Sequence, residues 1–253
     1  MPPQMPLPSL VDELNHRFVH GRPSNDPYEA GIFQIGWSHT FSFPIDRWNF
    51  YALRNSNAKK AEHASGSIIN KGQQWAMCDL MCGAFVVDPA FVARSFLCAY
   101  PQDAATTDNA AYPGRCATTG VGWGVRQPIH VSPTLADALQ TQRNLLRGRR
   151  CYFGHGWIDS CYNEILLEMS GSTGWDTNLP HAVQAVVYSR YQTAAAMGFD
   201  RWEDPACSGC EAWASEVKNE YHRFLEHFHV GEQSVPLLEF DWTRLDAPFQ
   251  LAL

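Results

Sequence analysis

The chain carries little charge. Asp, Glu, Lys and Arg make up 18% of its 253 residues, below the quarter or so usual in globular proteins. What charge there is leans acidic, with 26 acidic side chains against 19 basic ones and a net charge of −7. A broad face for nucleic acid needs a basic excess to neutralise phosphates, and none exists. The one basic cluster, Arg143, Arg147, Arg149 and Arg150, suffices for a single phosphate group. No apolar run approaches the roughly 20 residues that span a bilayer. The opening Met1-Pro2-Pro3-Gln4-Met5-Pro6 has neither the basic nor the apolar region of a secretory signal. The expectation is therefore a cytoplasmic protein with reduced thiols, or a secreted one if a leader was removed.

Other absences narrow the chemistry. No G-x-S-x-G elbow, Walker A loop or G-x-G-x-x-G fingerprint occurs, so phosphoryl transfer and doubly wound dinucleotide binding have no support. Internal repeats, low-complexity tracts and linker-like stretches are missing too, which predicts one domain over residues 1–253. Hydrophobic residues, by contrast, form 45% of the chain and aromatics 13%. That composition buries a real core and excludes disorder.

Periodicity supplies the elements. Leu10, Val11, Leu14 and Phe18 fall at helical spacing behind Pro8, with Ser9 as the expected N-cap. Residues 31–37 and 39–43 read as short strands. Residues 54–74 are polar without a clear period and read as an exposed loop. Gly83 to Asp88 is a buried strand stopped by Pro89. Residues 101–130 read as a long irregular connection. Ser132-Pro133 is a good helix start, and the helix runs to Gly148. Two more strands are expected at 161–168 and 182–188, then an amphipathic helix at 211–229 and a strand over Val235–Trp242. Mixed elements without regular βαβ alternation predict α+β, with a split, mostly antiparallel sheet flanked by helices.

Several side-chain sets could carry chemistry. Glu164 and Glu168 share a strand face but stand about 13 Å apart, too far for the paired carboxylates of a glycosidase. His222, Glu226 and His229 occupy one helix face at i, i+4 and i+7, a stripe able to ligate zinc though equally a plain solvent face. That leaves a zinc-dependent hydrolase as one alternative. Among eight cysteines, Cys78/Cys82 and Cys207/Cys210 form loose pairs. They are compatible with disulfides, zinc or a redox role, and so with a non-enzymatic, cysteine-stabilised binding or effector domain.

One stretch points to a family. Cys161-Tyr162-Asn163-Glu164-Ile165-Leu166-Leu167, a Tyr-Asn-Glu entering an apolar strand and followed by a second at Val183–Tyr188, resembles the end of the catalytic domain of poly(ADP-ribose) polymerases. Upstream, Phe18-Val19-His20-Gly21 with Ala30-Gly31-Ile32 is similar to that family's His-Gly segment. Gly83-Ala84-Phe85-Val86-Val87-Asp88 looks like its Gly-Ile-Tyr-Phe-Ala-Asp. The resemblance covers about 50 residues in the family's order. It implies transfer of ADP-ribose from NAD to an acceptor such as a protein, with nicotinamide released and no metal. It also implies roles. Glu164 would orient the nicotinamide ribose and His20 would bind the adenosine ribose. Gly21 and Tyr162 would lie against the dinucleotide, with Phe85 and Phe96 stacking on nicotinamide. Phe85 stands where the family has tyrosine, and the expected helix runs nearly into His20 where the family has a strand.

Overall fold

The computed structural model describes residues 7–36, 63–71, 83–100, 119–121, 128–130, 134–137, 140, 164–168, 182–188, 217–219, 221–226, 229, 231, 234–241 and 244–252. Strands β1 (Ile32–Gly36), β2 (His63–Ile69), β3 (Gly83–Val87) and β4 (Phe96–Tyr100) come first. They are followed by β5 (Thr119–Val121), β6 (Pro128–His130), β7 (Glu164–Glu168), β8 (Val183–Tyr188), β9 (Leu237–Phe240) and β10 (Phe249–Leu251). The helices are α1 (Leu7–His20), α2 (Pro27–Ala30) and α3 (Pro89–Ser95), with further helical residues at 217–219 and 221–226.

Eight strands join one continuous sheet in the order β10-β9-β8-β3-β1-β2-β7-β4, and β5 pairs with β6 apart from it. Among the described strands, only β8 and β9 pair in parallel. The architecture is α+β and mostly antiparallel, as expected, but the sheet is not split. A strand that the sequence hides makes it continuous. Residues 63–69, read as loop, are β2, which pairs with β1 on one side and β7 on the other. Its residues 66–69 are buried, and a strand covered on both faces shows no polar–apolar alternation. Gly66 is dictated by crowding, since a Cβ there would stand 2.6 Å from the Gln34 carbonyl oxygen.

Two apolar layers flank the sheet. On one face Phe33, Ile35, Ile68, Phe85 and Val186 meet Phe91 and Val92 of α3 and Val217, Tyr221 and Phe224 of the late helix. The Tyr221 hydroxyl donates to the Val235 carbonyl at 2.6 Å and ties that helix to the segment entering β9. On the other face Ile32, Ile69, Val86, Val187 and Phe240 lie under Leu10, Leu14 and Phe18 of α1. Phe18 is fully buried, edge-on to Phe240 at 5.4 Å between ring centroids. Burying such a side chain contributes about 1.5–3 kcal/mol. Asn15 exchanges two hydrogen bonds with the Phe249 backbone, at 2.8 and 3.0 Å, and so pins β10 to α1.

Local signals moved by a few residues. Helix α1 begins at Leu7, which puts Ser9 inside the first turn instead of at the cap; proline is tolerated there because its missing N–H would lack a helical partner anyway. Thr134 Oγ1 accepts from the Asp137 amide at 3.2 Å and caps the helical residues that follow, two positions past the expected start. Asp88 does more than end β3. Its Oδ1 accepts from the Ala90 and Phe91 amides and, with Pro89 in the first turn, starts α3, which periodicity alone does not reveal. Residues 39–43 lie outside the described residues.

Candidate functional site

The register of β7 places Glu164. Leu166 pairs with Ser65 of β2, and Glu164 with Tyr100 of β4. Along β2, positions 65, 67 and 69 share one face, and Ile69 belongs to the layer under α1. Positions 164, 166 and 168 therefore fall on the α1 face. Continued by one residue, the β2–β7 ladder sets Glu164 level with Ser67, and Ser67 pairs with Gln34 of β1. Gln34, Ser67 and Glu164 thus form a row across three neighbouring strands. Its outer members are about 10 Å apart, two strand spacings.

Gln34 is the unusual member. It is 2% exposed, its Nε2 donates to Ser67 Oγ at 3.3 Å, and its Oε1 is buried without a hydrogen-bond partner. A buried acceptor left unpaired costs about 1–3 kcal/mol. A further polar group under α1 is fully committed. Arg17 donates to the Gly31 carbonyl from Nε and Nη2, and to Gln184 Oε1 and Glu13 Oε1 from Nη1. Burial pushes its pKa down, against the upward pull of Glu13. Its donors serve the fold and are not offered to a phosphate.

His20 is the last residue of α1, exposed, with its ring 4.5 Å from that of His16. The turn after it is held by the Lys71 amide, which donates to the Phe18 carbonyl at 2.8 Å, and by an ion pair between Lys71 and Asp246. Gly21 fits because it has no Cβ: one would stand 2.6 Å from Asn70 Cβ and 2.9 Å from the Ala30 carbonyl. Packing accounts for this glycine without a ligand. His20 and Gly21 lie at the exit of β2, about 10 Å along the strand from Ser67 at roughly 3.3 Å per residue. The sheet face under α1 thus brings Glu164 and the His20–Gly21 turn to the same side.

Phe85 and Phe96 go to the other side. Phe85 pairs with Ile35 and Val186, is fully buried, and its ring lies 5.2 Å from that of Phe224. Phe96 is half-buried and packs against the same layer. The expectation that these rings stack on a nicotinamide held by Glu164 is corrected by the pleat, since an intervening sheet separates them from position 164. Tyr162, the arginines at 143–150 and the pairs Cys78/Cys82 and Cys207/Cys210 lie outside the described residues.

Two further expectations meet the geometry. His222 and Glu226 are exposed on the late helix, but His229 has left it at φ 53°, so the i, i+7 relation is gone. Among the described residues no group of three His, Cys, Asp or Glu side chains is placed to hold a metal ion. Cys98, buried on β4, is disulfide-bonded to a partner outside the described residues. For Cys98 that corrects the expectation of a reduced thiol. Gln34 and Ser67 escaped the sequence reading. The available signal was a glutamine amid the apolar Ile32-Phe33-Gln34-Ile35 and a Ser65-Gly66-Ser67 too small for an exposed loop.

Comparison of the chain with family models, with curated proteins and with solved structures yields no match.

Proposed function

We propose that the protein transfers ADP-ribose from NAD to an acceptor and releases nicotinamide, with Glu164 as its catalytic carboxylate. The observation that supports this reading is the position of Glu164 at the start of β7. Glu164 opens β7 on the sheet face that the His20 end of α1 borders, level with Ser67 and with Gln34, whose amide oxygen is unpaired. Breaking the nicotinamide–ribose bond sends its electron pair to nicotinamide and leaves an oxocarbenium-like ribose. A fixed carboxylate beside that carbon stabilises the developing charge, most strongly where water is excluded. The acceptor, a protein nucleophile in this reading, then attacks the same carbon and gives up its proton. His20, exposed at the end of α1, hydrogen-bonds the adenosine ribose.

The test is direct. Purified protein incubated with NAD and candidate acceptors should release nicotinamide, measured by chromatography. Glu164→Gln should slow release by about 10²–10³-fold, the loss typical when one stabilising group of a developing charge is removed, with an unchanged circular dichroism spectrum. Unconsumed NAD after prolonged incubation with the wild-type protein sinks the proposal.

The disulfide at Cys98 favours a second reading, a cysteine-stabilised binding domain without catalysis. Full oxidation of the thiols together with inertness toward NAD would select it.

A further inference from the structure

The row Gln34–Ser67–Glu164 contains a group that the fold does not use. Gln34 is as buried as its apolar neighbours, yet only one end of its amide is spoken for. Ser67 holds the nitrogen and leaves Oε1 without a partner. The bond to Ser67 accounts for the nitrogen end of the amide only, so nothing among the described residues accounts for the oxygen. The free oxygen lies on the face of position 164, two strand spacings away. That separation, about 10 Å, is of the order a ribose at position 164 and its attached base would span to reach Gln34.

Resting on the reading of Glu164 given above, we propose that Gln34, oriented by Ser67, is the specificity-determining residue for the nicotinamide base, accepting a hydrogen bond at Oε1 from its carboxamide N–H. A carboxamide nitrogen supplies the donor that a buried lone pair needs. The carboxylate of the deamidated dinucleotide has no such donor and would place negative charge against an acceptor. The site therefore selects NAD over its deamidated analogue.

The experiment compares initial rates of base release from NAD and from nicotinic acid adenine dinucleotide, using wild-type protein, Gln34→Met and Ser67→Ala, with Glu164→Gln as reference. Gln34→Met should raise KM for NAD about tenfold with kcat changed little, as expected for one lost ground-state hydrogen bond. It should also shrink the preference for NAD over the analogue, while Tm changes little because removal of an unpaired polar atom offsets the lost bond to Ser67. Ser67→Ala, which keeps β2 intact and releases the amide, should act in the same direction with a smaller effect. Wild-type preference retained in both variants, while Glu164→Gln is inactive, overturns the role of Gln34 and leaves the transferase reading standing. Failure of the wild-type protein to release nicotinamide at all overturns both.

Discussion

At the scale of single residues, burial separates side chains that hold the fold from those left for a ligand. Phe85 belongs to the first kind. Fully buried against Phe224, it should cost about 3–5 kcal/mol when changed to Ala. The milder Phe85→Leu should lower the urea midpoint yet leave NAD turnover per folded molecule unchanged. A rise in KM for that variant would return the ring to the site. Arg17 is also structural. Arg17→Ala leaves the buried Gly31 carbonyl and the half-buried Gln184 amide oxygen without their donor, and a loss of about 2–4 kcal/mol in urea unfolding follows. Glu29 shows the opposite regime. Fully exposed, it accepts from Arg22 Nη2 at 2.8 Å and Ser24 Oγ at 3.0 Å, and the Arg22 bond above all holds its carboxyl below the ordinary range. A carboxylate held low in the folded chain favours folding above its unfolded pKa and loses that contribution as pH falls through the folded one. Arg22→Ala should raise the Glu29 midpoint in an NMR titration. Stability near neutral pH should barely move, because an exposed pair is well screened.

At the scale of elements, β2 and α3 carry the lesson. Asp88 caps α3 through two backbone amides, so Asp88→Ala should cost about 0.5–2 kcal/mol. Thermal unfolding measures it. Gly66 admits no side chain because β1 lies too close. Gly66→Ala should therefore cost at least 1–3 kcal/mol, roughly the penalty of overpacking. It should also disturb the Gln34–Ser67 pair that crosses the same two strands. The cause of both misreadings is physical. Periodicity reports contrast between two faces, and β2 has none because both are covered. Helix α3 is too short, at seven residues, to develop a period.

For the whole molecule, one continuous sheet gives two chemically different sides. The side under α3 and the late helix is closed by aromatics. The side under α1 is apolar toward β8 and β9 and carries polar residues toward β2 and β7. Beyond the sheet's hydrogen bonds, Cys98 on β4 is held in a disulfide. Reduction, or Cys98→Ala, should lower stability by about 2–5 kcal/mol, the usual cost of losing a native disulfide. Thermal unfolding with and without reductant reads this out. No described helix is long and apolar enough to cross a membrane.

The sequence by itself determined the α+β class, the positions of α1, β3, β7 and β8, and the choice of Glu164 as the residue to examine. These rest on local patterns: apolar spacing, a proline stop, a charged residue entering an apolar strand. Only the tertiary structure decided that the sheet is unbroken, that Phe85 and Phe96 face away from Glu164, and that Gln34 and Ser67 stand in line with it. Those outcomes depend on which strands pair and in what register. A shift of one residue exchanges the two faces of a strand, and that choice is made by partners up to about a hundred residues away. The low charge noted at the outset is consistent with a chain that covers both faces of one large sheet.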